Sequence, residues 1–472
     1  MKSKFNHRTV AIELVNAGKC NMDCAYCYIP KSKEMNVLHD EVVAYLESGK
    51  FLADLTELYG EDLECLSLWG TEPTLTIDIF TRWMPEIIDR FPKLHSFTFS
   101  TNFMKDPKNL LDFVKSLPRD REGFECNIQY SIDGPPWITD VTRHPNATKR
   151  ITTNVKKFMK ELAKLDLGLL HIHTNCKPTW NEDIIEMVGK DLTLLTDYLE
   201  FFNQLFKEID EILDEVPKSY VSHAKVNAPF LGLPGMYTQQ HGIYWGEIYK
   251  RMLEEQQKHL DYGKYPHLSC DFTGYLPRYQ RILDYGREFY TKPEMFTCSA
   301  GDSQYGLDHK GMLHSCHRTF YLNDDNYVKS ITNDCDNGNW DLEHYQKDRL
   351  GDIRTNMMVD IEDDDACRRF VYYNSTHHHF IKNRITIYTG LIKVMAKAGQ
   401  ISPIYYDDVV ARTFAEYAAT AYNCNVEYSL TLGSMSLIPS GIIKVSCNGM
   451  FEHMIKAATG GENRHQDTWV KA

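Results

Sequence analysis

Strand-like and helix-like segments alternate over about the first 180 residues of this chain. The strand-like segments, rich in β-branched and aromatic residues, are 9–15, 64–69, 96–100, 126–132 and 167–173. The helix-like segments, with apolar residues at helical spacing, are 38–59, 77–91, 109–116 and 151–164. Because parallel strands need long crossover connections, this alternation predicts a parallel sheet covered by helices. Ligand sites in such sheets lie where the strands end.

The rest of the chain is less regular. A pair of acidic amphipathic helices is predicted at 182–216, whereas 217–295 gives no clear assignment. Residues 296–370 are rich in Gly, Asp, Asn and Cys, as in loops, and the chain becomes more helical after residue 380. At 472 residues, the length suffices for about three domains or for one large barrel with additions.

The composition is that of a folded globular protein, and it argues against several functional classes. Lys and Arg number 52 against 65 Asp and Glu, a net charge of −13, which disfavours a nucleic-acid binder. No run of 18 apolar residues predicts a membrane span, and no apolar segment of a secretory signal follows the basic start. We therefore expect a cytoplasmic protein, in which 13 cysteines indicate metal or redox chemistry rather than disulfides.

Cys20, Cys24 and Cys27 lie within eight residues, shortly after the first predicted strand. A cubane iron–sulfur cluster takes four thiolates when fully ligated, so three thiolates leave one iron open, as a catalytic centre requires. Zinc is the alternative metal, but a structural zinc site needs four closed ligands, and the only close histidine is His7. The loop therefore predicts a 4Fe–4S cluster with an open iron.

This C-x3-C-x2-C spacing, with Tyr26 directly before the last cysteine, resembles the radical S-adenosylmethionine (SAM) superfamily. Further motifs similar to those of the superfamily follow in order, each at the end of a predicted strand. They are Gly70-Thr71-Glu72-Pro73 (similar to GGEP), Ser100-Thr101-Asn102, and Ser131-Ile132-Asp133-Gly134-Pro135 with Asp140 and Arg143 behind it, as in the maturase-like branch. Their position at strand ends supports the resemblance, because ligands bind there in such sheets.

The resemblance implies a cofactor site and a mechanism. SAM would bind the open iron, and an electron from the cluster would break its sulfonium C–S bond, so that a 5′-deoxyadenosyl radical takes a hydrogen atom from substrate. Glu72 would accept a hydrogen bond from the methionyl ammonium of SAM, and Arg143 would pair with its carboxylate. Tyr26 would pack near the adenine. The other cofactor-binding residues that the resemblance implies are Gly70, Thr71, Pro73, Ser100, Asn102, Ser131 and Asp133.

Thr71 departs from the family pattern, which has glycine at this position. A β-branched residue allows fewer backbone angles than glycine, so the loop must keep a negative φ or shift slightly. A plain tight turn is the alternative interpretation of Gly70 and Pro73.

A second cysteine pattern, Cys298-x12-Gly311-x4-Cys316, resembles the first half of the SPASM or twitch extension of this superfamily. It implies one auxiliary iron–sulfur cluster, with a β-hairpin at Gly311 and further ligands from Cys335 and Cys367. The second half of a SPASM pattern does not follow, so the extension is degenerate. Buried cysteines without metal are the alternative.

His317 stands where sulfatase-maturing relatives have an Asp base, which argues against sulfatase maturation. The imidazole could take a proton after hydrogen abstraction, or His317 could be an ordinary polar residue near a cluster. Cys65 and Cys126 fall in predicted strands and are expected in the core.

The alternating segments predict an α/β fold, and the resemblance implies a partial parallel (β/α)6 TIM-type barrel with a twitch/SPASM-like extension and a helical tail. The regions would be the barrel, a connection, the auxiliary-cluster region and the helical C-terminal region, at 1–230, 231–295, 296–370 and 371–472. Relatives of this architecture mostly modify peptides, so we favour a peptide or protein maturase, an oxidoreductase that takes electrons from a flavodoxin or ferredoxin. The alternatives are a radical SAM dehydrogenase or rearrangement enzyme for a small molecule, and an iron–sulfur electron-transfer protein.

Overall fold

The computed structural model describes most of the first 268 residues and two short segments beyond them. The described ranges are 11–27, 29, 33–217, 220–224, 229–231, 238–268, 304–314 and 349–352. Within them the chain is a mixed α/β structure built on one large, mostly parallel sheet. No helix in these ranges is both long enough and apolar enough to cross a membrane.

Nine of the described strands form the large sheet. The strands are β1 Ala11–Ala17, β2 Cys65–Gly70, β3 Ser96–Thr101, β4 Glu125–Tyr130, β5 His171–Cys176, β6 Thr179–Trp180, β7 Val221–Ala224, β8 Phe230–Leu231, β9 Gln304–Leu307, β10 Met312–His314 and β11 Arg349–Asp352. Their order in the large sheet is β11-β10-β9-β1-β2-β3-β4-β5-β7, while β6 and β8 pair separately.

Six neighbouring strands, β1 to β5 and β7, are parallel and follow one another in chain order. The parallel sheet predicted from the alternating segments is therefore confirmed. Crossovers between parallel strands are nearly always right-handed, so sequential order places all the connecting helices on the same face of the sheet. The hairpin strands β10 and β11 are antiparallel to their neighbours at the far edge.

The helices are amphipathic, and their apolar stripes join a single core with one face of the sheet. They are α1 Lys33–Glu47, α2 Lys50–Tyr59, α3 Ile77–Arg90, α4 Lys108–Ser116, α5 Pro136–Thr142, α6 Ala147–Leu162, α7 Glu182–Lys190, α8 Leu194–Leu213 and α9 Gln239–Tyr262. The pair predicted at 182–216 is confirmed as α7 and α8. Cys126 lies in the core as predicted, and Cys65 is half-buried.

The two faces of the sheet differ in chemistry, because successive side chains along a strand point to opposite faces. The face under the helices is apolar, and Leu14, Leu68, Phe97, Ile128 and Ile172 are fully buried there. The opposite face carries polar side chains on all six parallel strands. Its polar residues, called the polar face below, are Glu13, Ser67, Ser96, Thr98, Ser100, Glu125, Asn127, Gln129, His171, His173, Asn175 and Ser222; Ala11, Val15, Cys65, Trp69 and Ala224 lie on the same side of the sheet.

Two elements differ from their predictions. The helix predicted at 38–59 is broken into α1 and α2 at Gly49, whose φ is +71°. A Cβ on Gly49 would lie 2.8 Å from the Trp83 ring, so this break needs glycine. The strand predicted at 167–173 begins at His171, because Gly168, with a φ of +57°, turns the chain just before it.

The β-hairpin predicted at Gly311 is confirmed. β9 and β10 are antiparallel, and Gly311 between them has a φ of +78°. Asp308 fixes the turn, since its Oδ1 accepts hydrogen bonds from the backbone N–H groups of Lys310 (2.8 Å) and Met312 (2.9 Å). β9 is parallel to β1, which joins the hairpin to the main sheet. Cys298 and Cys316 lie outside the described residues.

Two adjacent residues of β3 test the two-faced sheet. Phe97→Ala should lower the free energy of unfolding by about 3–5 kcal/mol, because Phe97 is fully buried under the helices. Thr98→Ala, on the exposed polar face, should change it by no more than about 0.5 kcal/mol. Urea denaturation followed by circular dichroism measures both. Equal losses would contradict the assignment of the two faces.

Candidate functional site

The sequence motifs meet at one edge of the sheet. β1 leads into the cysteine loop (residues 18–27), and the carboxyl ends of β2, β3 and β4 lead into the other three motifs. Because these strands are parallel neighbours, their carboxyl ends lie side by side. Backbone hydrogen bonds join them: the N–H of Thr71 donates to the carbonyl of Ala17 (3.2 Å), and that of Ser131 to the carbonyl of Thr101 (3.0 Å).

Asp133 is a fully buried carboxylate that collects five hydrogen bonds at this edge. Its Oδ2 accepts from the hydroxyls of Tyr26 (2.7 Å) and Thr142 (2.8 Å), and its Oδ1 accepts from the backbone N–H of Thr179 (2.9 Å). Arg143 adds a bidentate pair, from Nε to Oδ2 at 2.8 Å and from Nη2 to Oδ1 at 2.9 Å. Through Tyr26, this network fixes the cysteine loop to the end of β4.

The Arg143 guanidinium lies between Asp133, Tyr26 and Cys24. Its central carbon is 5.4 Å from the centre of the Tyr26 ring, and its Nη1 points at the Cys24 sulfur, 3.9 Å away. Burial lowers the pKa of Arg143, but Asp133, Tyr26 and Cys24 together outweigh burial and hold that pKa above its ordinary value. A cofactor carboxylate, the partner that the resemblance implies, would compete with Asp133 for this fork.

Asn102 connects the end of β3 to the first cysteine. Its Nδ2 donates to Oδ1 of Asn21 (2.7 Å) and lies 3.7 Å from the Cys20 sulfur, while its Oδ1 accepts from the backbone N–H of Met104 (2.9 Å). Two of the three cysteine sulfurs therefore face a nitrogen donor, Cys20 from Asn102 and Cys24 from Arg143. Hydrogen bonds to sulfur are one of the means by which proteins tune iron–sulfur clusters.

Glu72 is buried, with 1% of its surface exposed, and both of its carboxylate oxygens accept hydrogen bonds. Oε1 accepts from the hydroxyls of Thr101 (2.7 Å) and Thr74 and from the backbone N–H of Thr74 (3.3 Å). Oε2 accepts from the backbone N–H of Asn102 (2.9 Å), which leaves it a lone pair for a cofactor ammonium. Burial raises the pKa of Glu72, and these hydrogen bonds oppose that rise.

Gly70 and Thr71 lie where β2 passes closest to the start of the cysteine loop. A Cβ on Gly70 would lie 2.8 Å from the backbone nitrogen of Ala17 and closer still to its carbonyl oxygen, so a side chain requires the backbone to move. Thr71 keeps a negative φ, as its branched side chain requires, and its hydroxyl donates to the carbonyl of Lys19. The threonine therefore introduces no backbone strain and adds a bond to the loop.

Cys20, Cys24 and Cys27 are half-buried free thiols. Burial raises the pKa of Cys24 to about 12, the Arg143 guanidinium lowers it, and the neighbouring cysteines raise it. Cys24 would thus lose a proton on binding a metal. Within the described ranges, no three His, Cys, Asp or Glu side chains are grouped so as to hold a single metal ion.

A cubane cluster fits the donor set. The thiolates of a cubane bind different irons, so they need not converge on one point. The loop supplies three soft sulfur donors on one segment, and nitrogen donors already face two of them.

The remaining predicted site residues lie at the same edge or outside the described ranges. Ser100 Oγ accepts from Nε2 of Gln129 (2.9 Å), and Ser131 is half-buried directly after β4. Pro73 is buried, and its carbonyl accepts from Nδ2 of Asn16 (3.0 Å). The residues outside the described ranges are Cys298, Cys316, His317, Cys335 and Cys367.

Four threonines that were not predicted as site residues hold the two buried carboxylates. Thr74 and Thr101 donate to Glu72, Thr142 donates to Asp133 through its hydroxyl, and Thr179 donates to Asp133 through its backbone. Thr101 lies inside a motif and Thr142 directly precedes Arg143, so their positions in the sequence offered a signal. Nothing in the sequence indicates Thr179.

Among known proteins, the matches to this chain are solved structures. No protein-family model matches it, and no curated protein matches it. One similar solved structure is that of Streptococcus suis SuiB bound to S-adenosylmethionine, at 13% sequence identity and a TM-score of 0.36. The similarity covers 67% of this chain and 60% of that one. A TM-score this low does not establish a shared fold.

The buried pair of Asp133 and Arg143 can be tested by removing one charge. Asp133→Asn should lower the free energy of unfolding by about 3–5 kcal/mol, because it leaves the Arg143 charge buried without its partner. Glu47→Gln, which removes the partner of the exposed Arg82, should cost less than about 1 kcal/mol. Urea titration measures both, and a loss in Asp133→Asn no larger than in Glu47→Gln would contradict the anchoring role.

Proposed function

We propose that this protein is a radical SAM enzyme. The observation that carries the proposal is the cysteine loop itself: three free thiols, held at the carboxyl edge of a parallel sheet by residues that follow β2, β3 and α5. A loop that only filled space would not need a buried ion pair and two sulfur-facing donors. The order of the sequence motifs along that edge supports the same conclusion.

Cys20, Cys24 and Cys27 would hold three irons of a 4Fe–4S cluster. With SAM, that cluster would supply a 5′-deoxyadenosyl radical able to take a hydrogen atom from substrate. Asn102 and Arg143 would donate to the sulfurs of Cys20 and Cys24, and a positive charge beside an anionic cluster favours its more reduced state.

Other residues of this edge would orient the cofactor. Glu72 would accept a hydrogen bond from an ammonium at Oε2, since Oε1 already accepts hydrogen bonds from Thr101 and Thr74. Ser100 and Ser131 would offer hydroxyls to ribose. Gly70 would let the backbones of β1 and β2 approach closely enough to keep these groups together.

A non-catalytic iron–sulfur carrier is the rival from another class. A carrier closes its cluster with four protein ligands, so it has no open iron and needs no polar group beside one. Glu72, buried beside Asn102 and so next to the cysteine loop, favours the enzyme, because a carboxylate at that position is a ready partner for the amino group of SAM.

For the substrate, we favour a peptide or protein side chain or backbone, with a small-molecule dehydrogenation or rearrangement as the second candidate. Electrons would come from a flavodoxin or ferredoxin. One auxiliary cluster would be bound by Cys298 and Cys316 with Cys335, Cys367 or both. The hairpin at Gly311 supports this part, since Cys298 precedes it and Cys316 follows it in the chain.

Anaerobic turnover tests the enzyme proposal. The purified chain, incubated with dithionite and SAM, should release 5′-deoxyadenosine, measured by liquid chromatography. Cys24→Ala should abolish the release, because it removes one of three cluster ligands. Cys126→Ala is the matched control: it removes a cysteine from the core under the helices and should leave the release unchanged per folded molecule.

Two results would contradict the proposal. Full iron and sulfide loading without any 5′-deoxyadenosine would favour the carrier. Stoichiometric zinc in the cysteine loop, with no iron, would remove the basis for either iron–sulfur function.

The iron content of the protein tests the auxiliary cluster separately. Reconstituted protein should contain about eight irons, since two cubanes hold about four each. Cys298→Ala/Cys316→Ala should lose about four of them while keeping the cluster of the cysteine loop, with Cys126→Ala again as the control. An unchanged iron content in the double variant would contradict the auxiliary site.

A further inference from the structure

The polar face is unusual for a parallel sheet. Parallel sheets are normally buried on both sides and carry apolar side chains on both. Here Thr98 is exposed although β3 is an interior strand, and Asn127 and His173 beside it are half-buried. The connecting helices lie on the opposite side, so they do not explain this row of polar side chains.

The side chains of the polar face are tied to one another in a fixed arrangement. Asn127 Nδ2 donates to Oε1 of Glu125 (3.1 Å), and the Ser96 hydroxyl donates to the same oxygen (3.3 Å). On the other side, His173 Nε2 lies 3.5 Å from Oε2 of Glu125, while His173 Nδ1 shares a hydrogen bond of 2.6 Å with Oγ of Ser222. This shell orients the Glu125 carboxylate on the surface of the sheet.

The charge of the polar face is one-sided. The six parallel strands bring no Lys or Arg to it, and the Glu125 side chain stays 39% exposed within its shell. A carboxylate that is oriented by neighbours and still open on one side is suited to a protonated nitrogen. Partial burial makes such a pair stronger than one on an open surface.

The polar face runs directly into the candidate site. Ser100 and Gln129 are hydrogen-bonded to each other near the carboxyl ends of β3 and β4, next to the cofactor motifs. Gln129 follows Glu125 by four positions in β4, a distance of about 13 Å along an extended strand. A ligand that reaches from the edge to Glu125 must therefore be elongated.

Building on the proposed function, we propose that the polar face is the floor of the substrate site and that Glu125 binds a protonated nitrogen, an amine or a guanidinium, of an elongated substrate. Asn127, Ser96 and His173 position that carboxylate. The reacting carbon of the substrate then lies toward the cysteine loop. Its cationic group lies at Glu125, about 13 Å from Gln129 along β4.

Calorimetric titration of the full chain with three matched probes tests the proposal. The probes are the N-acetyl methylamides of arginine, citrulline and glutamate, of which the first two share a shape and differ in charge. The arginine probe should bind about tenfold more tightly than the citrulline probe, as expected for one charge-assisted hydrogen bond, and the glutamate probe should bind most weakly.

Glu125→Gln should abolish the preference for arginine over citrulline. Glu161→Gln, on the outer surface of α6 where its partner is Lys164, should leave the preference unchanged. Equal binding of the two probes by the native chain, no binding of the arginine probe at millimolar concentration, or a preference that survives in Glu125→Gln would each overturn the proposal.

These titrations need neither reductant nor cleavage of SAM. A failure here with 5′-deoxyadenosine still formed overturns the substrate class alone. A charge preference without 5′-deoxyadenosine keeps the binding site and overturns the radical chemistry.

Discussion

The buried pair of Asp133 and Arg143 is the contact on which the candidate site depends. Asp133 joins the end of β4 to the cysteine loop through Tyr26, and Nη1 of Arg143 points at the Cys24 sulfur. A buried ion pair contributes little net stability, because desolvation of two charges offsets their attraction. Its effect is therefore positional: it gives the middle cysteine a fixed donor and the loop a fixed orientation, which a mobile surface loop could not provide.

The order of the strands explains why so few residues suffice for this arrangement. Six parallel strands in chain order bring four motifs, far apart in sequence, to neighbouring strand ends. The same order leaves the helices on one face, so the other face is free to be polar. The candidate site at the strand ends and the polar face thus both follow from the sequential order of the parallel strands. The substrate site inferred on the polar face extends the proposed cofactor site without any additional element.

Much of this could be predicted from the sequence, and the failures have physical causes. Strand and helix periods, the three-cysteine spacing and the turn at Gly311 are local signals, and they located β1 to β4, the cysteine loop and the hairpin. The break at Gly49 depends on the packing of Trp83, which no local pattern encodes. The partner of Arg143 likewise depends on tertiary structure. The sequence alone could not decide between a cofactor carboxylate and Asp133, ten residues away. The polar face required strand order and register.

The most direct test of the central claim is electron paramagnetic resonance of the anaerobically reconstituted, dithionite-reduced protein, recorded with and without SAM. If the cysteine loop holds a cubane with one open iron, the spectrum shows a reduced 4Fe–4S signal whose g values shift when SAM is added. The SAM-sensitive signal disappears in Cys24→Ala, where only the signal of the auxiliary cluster remains, and it persists in Cys126→Ala. A spectrum that SAM does not change, or a SAM-dependent shift that survives in Cys24→Ala, contradicts the account.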